Sequence, residues 1–172
     1  MATTCKLIAK SILGSAAADV TFSSIPATYT DLLLVFSART TSTADGVADG
    51  VRVRFNGAAN DTNHSARWLY GSGSGASSST DSFCRAGYAT SDNSTASTFA
   101  TSEVYLPNYA GSTAKSFSAT GMTEKNAAAA DMVIVAGLWN DTSAITSMRL
   151  YPGSGGNFKT DSSFFLYAIS RA

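Results

Sequence analysis

Charge is scarce in this chain. Only 14% of its 172 residues are charged, twelve Lys/Arg balance twelve Asp/Glu, and just two of the acids, Glu103 and Glu124, are glutamates. A neutral, thinly charged surface lacks the footprint by which proteins hold nucleic acid or an anionic membrane, so neither is expected as a partner. Histidine is scarcer still, with His64 the single example. The two cysteines, Cys5 and Cys84, show neither metal-ligand spacing nor a disulfide framework. They read as two thiols in strands of a protein made in a reducing cytoplasm, with a single bridge as the less favoured alternative. No run reaches the length of a membrane span. The start Met1-Ala-Thr-Thr-Cys-Lys6 lacks a basic region followed by a long apolar one, so assembly in a cytoplasm is expected. With 44% hydrophobic residues and no excess of either charge, the chain is not of the disordered class.

Amphipathic helical patterning is missing as well. What is present is β-type alternation, separated by Ser, Thr, Gly, Asn and Asp, and hydroxyl residues supply about a quarter of the sequence. Cys5–Leu13 reads as a first strand, with Leu7 and Ala9 on one face and Lys6, Ile8 and Lys10 on the other. Val20 and Phe22 point inward from a short second strand that Ile25-Pro26 ends, because proline removes a ladder donor. Asp31–Arg39 is apolar on both faces from Leu32 to Phe36, the signature of a strand covered on both sides. Thr40–Gly50 reads as a loop with turns at Asp45-Gly46 and Asp49-Gly50. Val51, Val53 and Phe55 then face inward, with Arg52 and Arg54 outward.

Further strands are expected over 65–71, 83–89, 99–106, 114–120, 132–139, 145–151 and 163–170. One helical turn fits 126–130, and the tract 72–80 reads as a mobile loop. About ten or eleven strands in one domain over residues 1–172 point to an all-β, jelly-roll-like sandwich, with the first and last strands paired.

The candidate chemistry is thin. His64 stands beside Ser65 and Asp61, but neighbours so close in sequence rarely satisfy triad geometry, and the histidine reads as a loop or strand-edge residue. Asp45, Asp49, Asn60 and Asp61 offer hard oxygens to a calcium ion without EF-hand spacing, and Asp-Gly is explained by turns alone. Nothing pairs Glu103 with Glu124 across a cleft as a glycosidase would require. Gly71-Ser-Gly-Ser-Gly75 carries glycine where a nucleophile elbow needs serine, and no glycine-rich stretch carries the Lys-Ser/Thr of a phosphate loop.

A sugar platform would draw on Trp68, Tyr70, Tyr88, Tyr105, Tyr109, Trp139 and Tyr151. Trp139, inside Met132-Val-Ile-Val-Ala-Gly-Leu-Trp139, reads as core and Trp68, beside Arg67 and a flexible loop, as the exposed ring; a platform would use Trp68 or Tyr109, but packing is expected to decide for both. No catalytic, metal or cofactor residue is therefore expected, and no cofactor.

Thr21-Phe-Ser-Ser-Ile-Pro-Ala-Thr-Tyr-Thr-Asp-Leu-Leu-Leu-Val-Phe-Ser-Ala-Arg39, followed by Val51-Arg-Val-Arg-Phe-Asn56, resembles small β-rich virion proteins of tailed bacteriophages, above all those of cyanobacterial and marine phages. The ending Phe164-Phe-Leu-Tyr-Ala-Ile-Ser170 is similar to their closing strand. The resemblance implies a non-enzymatic role in the virion. That role is capsid decoration (cement) on the major capsid protein, or else a tail or fibre component, with self-association as a further option. Its motifs are structural, so no functional residue is carried over. From a different class, a carbohydrate-binding adhesion module is the alternative. Loops 40–50 and 71–80 are the expected contact segments.

Overall fold

Period-two alternation becomes β-structure throughout the computed structural model, which describes residues 4–43, 48–126 and 130–170. Twelve strands form: β1 (Cys5–Ile12), β2 (Val20–Phe22), β3 (Asp31–Ala38), β4 (Ala48–Phe55), β5 (His64–Gly71), β6 (Ala76–Asp81), β7 (Cys84–Thr90), β8 (Ala100–Leu106), β9 (Lys115–Glu124), β10 (Ala130–Trp139), β11 (Met148–Pro152) and β12 (Ser163–Ile169). No helix occurs among the described residues. The fold is an all-β sandwich of two antiparallel sheets. The larger runs β1-β12-β3-β8-β9-β10-β5-β6 and the smaller β2-β11-β4-β7. Every connection crosses between sheets except the hairpins β5–β6, β8–β9 and β9–β10.

The first and last strands pair as expected, antiparallel from Cys5 opposite Ile169 to Ile12 opposite Ser163. The core lies between the sheets in two aromatic groups. Phe36 stacks on Phe164 at 5.5 Å, with Phe158 edge-on at 5.0 Å. Phe55 meets Trp139 at 5.5 Å and Phe117 edge-on at 6.0 Å. Each such ring, once fully buried, is worth about 1.5–3 kcal/mol by area.

The sheets approach most closely where β7 crosses β8 and β9. An added Cβ on Gly121 would stand 2.5 Å from the Tyr88 nitrogen, and one on Gly87 only 2.9 Å from the Thr120 carbonyl oxygen. Ser102 reaches across this junction. Its hydroxyl accepts from the Tyr88 N–H at 3.0 Å and donates to the Tyr88 carbonyl at 2.9 Å. One side chain thereby supplies the pairing that Tyr88, on the edge strand β7, lacks.

Several expectations are corrected. The described residues form twelve strands, and the added one, β6, lies inside the tract expected to be a mobile loop. Gly71 to Gly75 make a tight turn closed by the Ser72 N–H to the Gly75 carbonyl at 3.0 Å, with Gly73 at φ +80°. The chain then returns along β5 from Ala76 opposite Gly71 to Asp81 opposite Ala66. β3 is covered on one side only. Leu32, Leu34 and Phe36 are buried, while Leu33 and Val35 lie half-buried on the outer face. A bulge in β1 between Leu7 and Ala9 turns Leu7 outward opposite Tyr167 and Ala9 inward opposite Leu166, which separates two residues expected on one face.

Asp49-Gly50 is no turn. It lies in β4, where the missing Gly50 side chain leaves room for the Arg85 guanidinium, whose Nη1 would be 2.2 Å from an added Cβ. β11 begins at Met148, not Ile145, because the Asn56 side-chain oxygen takes the N–H groups of Thr146 at 2.8 Å and Ser147 at 3.3 Å. The Asp45-Gly46 turn and most of the helical turn expected at 126–130 fall outside the described residues.

Candidate functional site

His64 opens β5 on its inner face and is 5% exposed, a core residue and not a loop or edge histidine. Its ring stacks on Phe55 at 5.9 Å and 12° and lies 6.4 Å from Trp139. Both ring nitrogens are buried with no hydrogen-bond partner among the described residues. Asp61 turns to Arg54 instead, which donates to its two oxygens at 2.8 Å each. That pairing holds the Asp61 carboxyl below the usual carboxylate range and raises Arg54. Asp61, His64 and Ser65 therefore form no relay.

Burial pushes the His64 pKa down, against a smaller upward pull from Asp61. The unfolded chain, with an ordinary histidine near pH ~6.5, binds the proton first as pH falls. Stability should then be full above that pH and decline as pH drops through it toward the lower folded value. His64→Phe keeps the stack and removes the titration. Urea midpoints between pH 7.5 and 5.5 should fall for the wild type and stay level for the variant. Parallel slopes would refute the assignment.

The oxygen-rich residues do not converge. Asp49 lies near the start of β4, fully buried, and accepts from the Ser154 N–H at 3.1 Å. Asp61 lies beyond the other end of that strand, held by Arg54. Asn60 spends its side-chain oxygen on Thr62, at 3.1 Å from the N–H and 2.7 Å from the hydroxyl. Asp45 is outside the described residues. Among the described residues no cluster of three or more His, Cys, Asp or Glu side chains is arranged to hold a metal ion.

Glu103 pairs in register with Thr120, and Glu124 stands four residues further along β9, accepting from the Asn126 N–H at 2.7 Å. Strand geometry puts the two glutamates about 14 Å apart, beyond the roughly 5–9.5 Å of glycosidase pairs. A groove of about 760 Å³ near Glu124 is floored by Phe99, Met122 and Met132. Its other acid is Asp131, whose carboxyl is pushed up by burial.

The aromatic platform also fails to assemble. Tyr109 is fully buried, its hydroxyl donating to the Pro26 carbonyl and tying the 26–30 segment down, so packing decides its place as expected. Trp139 and Tyr88 are core. Tyr151 lies half-buried near the guanidinium groups of Arg54 at 5.1 Å and Arg149 at 5.2 Å. Tyr105 spends its hydroxyl on buried Asp31 at 2.8 Å. Trp68 is half-buried, 5.4 Å from Tyr70 and capped by Arg85 at 4.7 Å. The two cysteines do not bridge. Cys5 is exposed, while Cys84 is buried with its thiol pushed up to about 12 by desolvation.

The polar groups with most at stake were not among the candidates. Arg39, 5% exposed, donates to four backbone carbonyls of the 92–98 loop. Lys115, 1% exposed, donates to the carbonyls of Gly111 at 2.7 Å and Thr113 at 2.6 Å, and desolvation lowers its pKa. The only sequence signal was positional, since Lys115 occupies an inward position of β9 together with Phe117 and Ala119. These groups clamp loops.

No family model matches the chain, and no curated protein or solved structure matches it either.

Proposed function

We propose that this chain is a non-enzymatic structural protein of a tailed-bacteriophage virion, acting as a capsid decoration (cement) protein on the major capsid protein after assembly in the host cytoplasm. The observation that carries the reading is the placement of the segments that resemble phage virion proteins. Residues 21–39, 51–56 and 164–170 fall in β2, β3, β4 and β12, where β3 pairs with β12 and both β2 and β4 pair with β11. The likeness therefore falls on a strand pair of the larger sheet and on the two strands that flank β11 in the smaller.

We read the two sheets as a jelly roll. Taking β1, β2, β3, β4, β7, β8, β11 and β12 in order, the first, eighth, third and sixth form one sheet, and the second, seventh, fourth and fifth the other. The hairpins β5–β6 and β9–β10 are then insertions that extend the first sheet beyond β8. Jelly rolls of this kind serve in viral capsids and lectins. Several ionisable side chains support a structural role, being committed to clamps such as Arg54–Asp61, Arg85–Asp81 and Arg149–Asp19.

A decoration protein binds the assembled shell and not its unassembled subunits, so by linkage it stabilises the shell. With little charge to lead the attachment, coating should survive salt that strips charge-steered partners. Particles lacking this protein should open at lower temperature than complete ones, and adding the purified protein back should restore them. Depleted heads that are equally robust but fail to attach to host cells would overturn the cement role in favour of a tail, fibre or glycan-binding adhesion role.

A further inference from the structure

The outer face of the larger sheet is unlike the rest of the surface. Strict alternation in β9 and β10 turns Met122, Met132 and Ile134 to solvent, and β5 adds Leu69; these side chains are 47%, 60%, 63% and 60% exposed. Register makes them one patch. Met132 pairs with Met122, and Ile134 pairs with Leu69. The small sheet covers the opposite side, and none of the described residues buries this one.

Five strands, β8-β9-β10-β5-β6, span about 24 Å and run about 30 Å, a footprint of roughly 700 Å². That approaches the ~800 Å² each partner gives to a standard interface. The edge beyond it, β6, is Ala76-Ser-Ser-Ser-Thr-Asp81, with no lysine, proline or bulge to blunt it. The opposite edge, β1, carries Lys6, Lys10 and a bulge.

Charge on the face selects the occupant. Arg67 on β5 and Glu103 on β8 flank β9 and β10, both are exposed, and neither has an ion-pair partner among the described residues. Glu103 is in line with Thr120, Ile134 and Leu69, and Arg67 is one outward position along from Leu69. A two-fold axis in the plane of the face, along the strands between β9 and β10, would lay β8 of one copy over β5 of the other. Each Arg67 would then stand about 7 Å along the strand from the other copy's Glu103, within reach of a guanidinium. The face is thus complementary to itself, as a two-fold interface requires.

We propose that this face binds a second copy of the chain, burying Met122, Met132, Ile134 and Leu69 and pairing Arg67 with Glu103 across the axis. The inference stands independently of the capsid assignment. Sedimentation velocity over a concentration series of the full chain tests it. The wild type should dimerise, and Ile134→Arg, at an exposed position, should raise the dissociation constant roughly thirtyfold or more, with circular dichroism unchanged. Arg67→Glu and Glu103→Arg should each weaken association, and the double exchange should restore it, an outcome that a merely sticky surface does not give.

A wild type that stays monomeric at high concentration would overturn the proposal while leaving the virion reading to its own particle test. So would association unaffected by Ile134→Arg, or a double exchange that fails to rescue.

Discussion

Gly121→Ala is expected to destabilise the fold by about 3 kcal/mol or more, since overpacking here sets a methyl against backbone and not against a movable side-chain end. The new carbon would lie 2.5 Å from the Tyr88 nitrogen, 2.7 Å from the Ser102 hydroxyl and 2.9 Å from the Gly87 Cα. Gly87→Ala should be at least as costly. Its φ of +128° is a conformation that L side chains rarely adopt, and the added carbon meets Ser102 at 2.5 Å. For a domain of this length such a loss lowers the melting temperature by roughly 10 °C.

Ser102→Ala acts at the same junction by a different cause. It leaves the Tyr88 N–H and carbonyl without their cross-sheet partner, which costs about 1–3 kcal/mol. Gly14→Ala is the control, because nothing lies within 4 Å of the added carbon and no positive φ is required there. Urea denaturation of the four variants should rank Gly87→Ala and Gly121→Ala as worst, then Ser102→Ala, with Gly14→Ala near wild type. Equal midpoints for Gly121→Ala and Gly14→Ala would mean that the sheets do not approach this closely.

What the sequence conveyed about the fold follows from where alternation is clean. Val51-Arg-Val-Arg-Phe55 places every side chain correctly, since two arginines cannot share the apolar interior with Val51, Val53 and Phe55. β6 was illegible because Ser77, Ser78, Ser79 and Thr80 carry no periodic contrast. Its strand state comes from the tight turn at Gly71–Gly75 and from the ladder that β5 offers. Sidedness was ambiguous wherever both faces are apolar. Leu32–Phe36 and Met132–Leu138 look alike on each side, yet one side meets the small sheet and the other meets solvent.

The candidate sites were the least legible part. Asp61 and His64 are close in sequence, but strand geometry sends one to Arg54 and the other into an aromatic stack. Composition cannot distinguish a buried clamp such as Lys115 from a solvated lysine.

Arg39 should be the most damaging charged residue to remove. It ends the apolar run of β3, where its side chain, 6% exposed, passes beneath the 92–98 loop. One terminal nitrogen donates to the carbonyls of Thr95 at 2.8 Å and Thr98 at 3.0 Å, the other to Asp92 at 3.3 Å and Ser94 at 3.0 Å. Arg39→Ala leaves those carbonyls without their donors and the loop without its anchor, at a cost of about 3–5 kcal/mol, since a hydrogen bond to a charged group contributes about 1.5–3 kcal/mol and several are lost at once. Lysine keeps the charge but lacks the planar fork that serves four carbonyls at once, so Arg39→Lys should recover only part of the loss.

The neighbouring Lys159–Asp92 pair is about one-third exposed on each side, and Lys159→Met should cost under ~1 kcal/mol. Hydrogen exchange supplies the local readout. Amides with hydrogen bonds inside the loop, such as Ser94 to the Ser91 carbonyl and Thr98 to the Thr95 carbonyl, should lose protection in Arg39→Ala at denaturant concentrations where β9 and β10 keep theirs. If protection falls everywhere in parallel, Arg39 contributes to global stability alone. If it does not fall in the loop at all, the guanidinium is not what holds that segment against the sandwich.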